Sequence, residues 1–237
     1  MSIDNFLDSI NLSLEYQYDH VKKAALECPR LFITLSRQPG AGAISIGEKI
    51  AEFLNAEKKI TWPTPWKVFD KDLLKTIVEE HNLPEKCKKY MPEGKLSTIQ
   101  DILDDMLGLH PSAIALVHRT NETLLHLAHL GNTIIVGRGG CLVTRKLQGG
   151  FHVRLVGSLD KRVRRVIEFS KLNKNEAEKL VAKEEKDRKK YFDEYFNKNI
   201  EDPSLYDLTL NTDFISFDDA AKIIVHAALI AKYKLEK

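Results

Sequence analysis

One decapeptide constrains this chain more than anything else in it: SRQPGAGAIS, residues 36–45. It follows LFITL (31–35), an uncharged run, and precedes a stretch with Ile46, Ile50 and Phe53 or Leu54 at helical spacing. A short apolar run with turn chemistry behind it reads as a central strand of a parallel sheet, buried on both faces. Gly40 and Gly42 allow backbone conformations that other residues resist. The loop can then aim successive N–H groups inward, over the positive end of the following helix. That makes an anion site suited to phosphate. A plain tight turn uses the same glycines; the order strand, loop, helix is what points to phosphate.

The pattern repeats along the chain. WKVF (66–69), TIIVG (133–137), HVRLV (152–156) and DLTLN (207–211) read as further strands. Helical spacing is expected over 45–54, much of 81–130, 159–169, 175–197 and from about 217 to 233. SFDD (216–219) resembles a capping box with Asp in place of Glu. Five apolar strands separated by helices predict an α/β fold: a five-stranded parallel sheet with helices on both faces, in three α/β/α layers. Residues 1–29 are expected to form an N-terminal helical extension and 30–237 one domain. Ligands of such sheets bind outside the carboxyl ends of the strands. Those ends carry SRQPGAG, Asp70 and GRGG (137–140).

Composition excludes several classes. Lys plus Arg is 36 and Asp plus Glu is 34, a net charge of +2, so no field favours nucleic acid or an anionic membrane. The stretch from Thr123 to Gly137 lacks charge but falls short of the roughly 20 residues a membrane span needs. Cys28, Cys87 and Cys141 form no CxxC pair. The opening MSIDNFLDSI has acids where a signal peptide has a basic region, so a cytoplasmic location is expected. His118, His126 and His129 share one expected helix, but no acid completes a metal site. TWPTPW (61–66) reads as a rigid turn before a strand.

Five segments in order resemble the bacterial cytidylate kinase-like family: SRQPGAG with ISIGEKIAEFL, VFDKDLL, IIVGRGG, VRLVGSLDKRVRRV and DPSLYDLTLNT. The resemblance runs from about Leu31 to about Ala228. It implies a P-loop kinase fold with a helical acceptor-side insert at 71–130 and a lid at 170–203. It also implies ATP and Mg2+ as cofactors and a small acceptor, with CMP or dCMP leading. The nucleotide would lie on Pro39, Gly40, Ala41, Gly42, Ala43, Ile44 and Ser45. Ser45 and Asp70 would serve magnesium, and Asp70 and Arg138 the acceptor. As a residue on its own, Asp70 reads equally as the N-cap of the following helix. Arg162, with Arg165 on the same helix face, begins the approach to the lid. Lys183, Asp187 and Lys190 match an arginine, aspartate, arginine trio in the cytidylate kinase lid, with Arg188 between the last two.

The departures from the pattern concern charge. A full P-loop reads GxxxxGK[ST]. Here Ala43 stands at the lysine position and Ile44 where the family often has arginine. Arg37 is the nearest cation in sequence. Gly139 replaces the acid of the GRD motif, and lysines replace two lid arginines. Two functions follow as expectations. One is an ATP-dependent phosphotransferase of the nucleoside monophosphate kinase type. The other is a nucleotide-binding module with weak or no catalysis, whose N-terminal helix offers a partner or homodimer surface.

Overall fold

The computed structural model describes residues 30–58, 60–70 and 113–235. The expected N-terminal helix and most of the 71–130 insert lie outside the described residues.

Five strands form one sheet: β1 Phe32–Arg37, β2 Lys67–Phe69, β3 Thr133–Val136, β4 Gly150–Val156 and β5 Leu208–Asn211. Their order is β2-β3-β1-β4-β5, and every pairing is parallel. Parallel neighbours need crossovers, and helices supply them. These are α1 Ala43–Ala56, α2 Ala113–Leu130, α3 Gly140–Val143, α4 Leu159–Ser170, α5 Lys174–Phe196 and α6 Phe217–Leu235. The sheet and its layers are those expected. The short α3 was not among the helices expected.

β1 lies at the centre, and its alternate residues feed two cores. Ile33 and Leu35 pack with Ile46, Ile50 and Leu54 of α1 and with Ile224 of α6. Phe32 packs on the other face with Phe69, Ile135 and Leu124 of α2. Each such fully buried side chain contributes about 1.5–3 kcal/mol. This two-faced burial is why the strand reads as a continuous apolar run, and it fixes where β1 releases the chain into the loop.

The helix ends carry their own instructions. Asn173 and Glu176 form a reciprocal capping box at the start of α5. At α6 the box is one-sided. The Asp219 N–H donates to Ser216 Oγ at 3.0 Å, but the Asp219 carboxylate meets the Ser216 hydroxyl instead of its N–H. Aspartate is one methylene shorter than the glutamate this motif prefers. Before β2, the turn is pinned by Asn55, which bonds both backbone groups of Trp66, and by Asn132, which donates to Thr64 O at 2.6 Å. No helix among the described residues is long and apolar enough to cross a membrane.

Candidate functional site

Gly42 is the N-cap of α1, at φ 84°, and no side chain caps the helix. The first turn holds no acid. The Ile46 N–H donates to Gly42 O at 2.9 Å; Ala43, Ile44 and Ser45 head the first turn, where N–H groups have no intrahelical acceptor. An uncapped helix start of this kind attracts anions. The two loop glycines are required by close approach. A Cβ on Gly40 would strike the backbone carbonyl of Arg162, and one on Gly42 the ring of Phe217. Pro39, Ala41 and Ala43 are buried, Gly40, Gly42 and Ser45 half-buried, and Ile44 exposed.

Two arginines of α4 hold this loop in shape. Arg162, 4% exposed, donates from Nε to Gly157 O at 2.9 Å. Its Nη1 reaches Pro39 O and Glu185 Oε2, each at 3.2 Å. One turn on, Arg165 donates to Gly40 O at 3.4 Å and to Thr212 Oγ1 at 2.9 Å, and its guanidinium lies 5.2 Å from the Phe217 ring centre. The shared face expected of this pair is the face turned to the loop. Gln38 joins the same set: Oε1 accepts from the Gly157 N–H at 3.0 Å, and Nε2 donates to Glu185 Oε1 at 3.5 Å. Arg162 thus spends Nε and Nη1 on protein acceptors. Those bonds fix the loop at Pro39.

A second group gathers at the strand ends. Burial, reinforced by the Arg188 and Arg138 charges and opposed by Glu184 and Asp70, pushes the Arg37 guanidinium down to about 10. Arg37, Asp70, Arg138 and Arg188 thus share one electrostatic neighbourhood although they are far apart in sequence. GRGG folds as a tight turn, with Arg138 at φ 52°, Gly139 at φ 69° and the Gly140 N–H donating to Gly137 O at 2.9 Å. Positive φ at both central residues is the I′ pattern. Gly139 lies against the Phe196 ring, 2.6 Å from where its Cβ would be. The position of the missing acid is thereby covered by an aromatic side chain of α5. Arg188 donates from Nη2 to Glu184 Oε2 at 2.6 Å, while its Nη1 is buried without a hydrogen-bond partner. Burial is the main cause that lowers its pKa.

The cytidylate kinase-like family model matches residues 32–214. This chain belongs to the cytidylate kinase-like family. No curated protein matches it. Among solved structures it is similar to an uncharacterized protein from Eubacterium ventriosum, with TM-score 0.61 and 18% identity over 84% of this chain and 98% of that one. At that identity the likeness is of fold alone. A shikimate kinase from Bacteroides thetaiotaomicron matches at TM-score 0.44 and 15% identity, over 87% of this chain and 99% of that one. A gluconokinase from Sinorhizobium meliloti matches at TM-score 0.46 and 12% identity, over 88% and 97%.

In this family member the expected lid residues separate. Arg188 turns toward Arg37 and the loop. Lys183, Asp187 and Lys190 stand exposed on another face of α5, and Lys190 pairs with Glu194 at 3.4 Å. They are not brought to the site in this arrangement. Sequence reasoning missed Glu184, Glu185, Gln38 and Arg154. The first two sat inside a charge-rich helix where no residue stands out. Arg154 did carry a signal: a cation alternating with His152 on one face of an otherwise apolar strand.

Oxygen donors suit magnesium. No cluster of three or more His, Cys, Asp or Glu exists among the described residues. Magnesium on a nucleotide needs only one or two protein oxygens, the rest coming from phosphate and water. Ser45 stands in the first turn of α1 and Asp70 directly after β2, and each carries an oxygen donor.

Proposed function

We propose that this chain is an ATP- and Mg2+-dependent phosphotransferase acting on a small acceptor, with CMP or dCMP the first to try. The reading rests above all on one observation. Arg37 and Arg188 line one cleft with Pro39 of the loop that leads into the uncapped start of α1, and they bring cationic charge to a loop that itself has Ala43. Phosphoryl transfer is mostly positioning and charge neutralisation, so no general base is essential. In this scheme the loop N–H groups hold the donor phosphates. Magnesium, held by Ser45 and Asp70, would neutralise them. Arg37 and Arg188 stabilise charge on the transferred group, and Arg138 faces the acceptor.

A second reading draws on the pairing of Arg188 with Glu184 and of Arg162 with Glu185. A site neutralised by its own acids can bind nucleotide without transferring phosphate. Turnover with ATP·Mg and a panel of nucleoside monophosphates separates the two. Product formation that Arg188→Met abolishes supports the kinase. ATP binding with no product from any acceptor supports the binding module.

A further inference from the structure

Among the described residues β5 pairs with β4 alone, so it forms an edge of the sheet. Its burial alternates. Leu208 and Leu210 are half-buried against the core beneath α1 and α6, while Thr209 and Asn211 are exposed. Beside this edge, α6 leaves apolar surface uncovered. Asp218 and Lys222 mark the flank of α6 turned to α1, through Lys49 Nζ at 2.9 Å and the Phe53 ring centre at 5.6 Å. Ala220, Ala221, Ile224 and Ala228 face the core. At about 100° per residue, Ile223 and Ile230 fall on the remaining flank, away from α1. Because α1 packs over β1, β3 and β2 and α6 over β4, that flank is the one toward β5. Ile223 is 42% exposed and Ile230 47%. An edge strand with open N–H and C=O groups is a template for another strand.

The chain ahead of Arg30 carries a segment suited to that template. In INLSLEYQYD (10–19), Ile10, Leu12, Leu14, Tyr16 and Tyr18 alternate strictly with polar residues. Period two is the pattern of a strand with one buried face. A helix would put Leu12 and Tyr16 on the side opposite Ile10 and Leu14. The alternation matches that of β5: an apolar row beside Leu208 and Leu210, and a polar row beside the exposed Thr209 and Asn211. The other edge offers no such match. There Val68 and Phe69 of β2 pack into cores on opposite faces of the sheet, so a neighbour would need apolar side chains on both. Length also permits the β5 edge. Residues 19–29 separate Tyr18 from Arg30 and reach about 35 Å when extended. Two strand spacings, about 10 Å, separate β1 from β5.

We propose that residues 10–18 add to the free edge of β5 as a sixth, antiparallel strand, with their apolar row covering Ile223 and Ile230 of α6. The antiparallel sense brings Tyr18 to the amino ends of the strands, where the chain enters β1 through Arg30. An antiparallel edge on an otherwise parallel sheet is a common arrangement. The added strand braces more than the edge. β5 leads into Thr212, whose Oγ1 accepts from Arg165, and Arg165 also binds Gly40 O in the loop. The segment therefore supports the loop from behind, whatever ligand the loop holds. The proposal is independent of the kinase reading.

The test is residue-resolved hydrogen exchange on the whole chain at two protein concentrations. Every second amide of 10–18, and the amides of β5 that point away from β4, should exchange slower than in an unstructured chain by about tenfold or more. Leu12→Asp should release both sets together, and Ser13→Asp, on the solvent row, neither. If Leu12→Asp does not fold, Leu12→Ala should release both sets in part. Four results overturn the proposal. Free exchange throughout 10–18 leaves no strand. Protection of consecutive amides there shows a helix. Outward amides of β5 that exchange freely, or that ignore Leu12→Asp, put the segment elsewhere. Protection that fades on dilution gives the edge to a second copy of the chain.

Discussion

The Arg37 guanidinium occupies the space that a side chain on Gly137 would need: a Cβ built there meets Arg37 Nη1. The end of β1 and the end of β3 are thus fitted to each other through a single missing carbon. Gly137 also has φ 84°, which side chains resist. Gly137→Ala should cost about 1–3 kcal/mol through strain and displacement together. It should also weaken ATP binding, because Arg37 must move. Denaturant unfolding and calorimetry check the two effects, and a variant unchanged in both would remove Arg37 from the site.

Arg162 ties three segments at once, through Gly157 O, Pro39 O and Glu185. Arg162→Met leaves two carbonyls and a half-buried carboxylate short of a donor. Losing one partner of a buried ion pair costs about 3–5 kcal/mol, less where the other partner reaches solvent as Glu185 does. Unfolding should therefore show a loss of about 2–4 kcal/mol. Adding Glu185→Gln should recover part of it, whereas an additive double variant would show that the pair is not coupled.

Phe196 covers Gly139, the position where the related motif carries an acid. Gly139→Asp by itself should lower the melting temperature without creating a preference for CMP. Aspartate tolerates positive φ better than most residues, so the ring is the main obstacle. Combining it with Phe196→Ala should restore much of the lost stability. If Gly139→Asp is neutral alone, the ring moves freely and does not define this wall.

His152 is buried against Phe32 and hydrogen-bonded through Nδ1 to Thr34 Oγ1 at 2.9 Å. Burial lowers its pKa from 6.5 to about 4; Asp207 opposes the shift and Arg145 adds to it. Between those values the unfolded chain binds a proton that the folded one refuses. This contribution to stability is complete above about pH 6.5 and is lost as pH falls toward 4, with a slope of up to roughly 1.4 kcal/mol per pH unit. Melting followed across that window should show the decline. In His152→Gln the slope should be shallower, and an identical slope would assign acid sensitivity elsewhere.

The strands were legible because β1, β3 and β4 are buried on both faces and advertise it as apolar runs bounded by Gly, Asn or Pro. The loop was legible because Gly40 and Gly42 stand between a strand and a helix. What the sequence hid was convergence. Nothing local ties Arg37 to Arg188, or Gly139 to Phe196; the β2-β3-β1 order and the path of α5 bring them together. Nor does a lysine-rich helix declare which cation turns inward. The family resemblance pointed to Lys183, Asp187 and Lys190 with Arg188 between the last two; the helix turns Arg188 inward and leaves the other three in solvent.

The central claim is that a phosphate site persists here without the loop lysine, its charge carried by Arg37 and Arg188. Calorimetric titration of ATP with magnesium into wild type and into Arg37→Met/Arg188→Met tests it most directly. The account predicts saturable binding in wild type, weakened in the double variant by at least tenfold, about 1.4 kcal/mol. No binding at millimolar ATP, or equal binding by the two proteins, would contradict it.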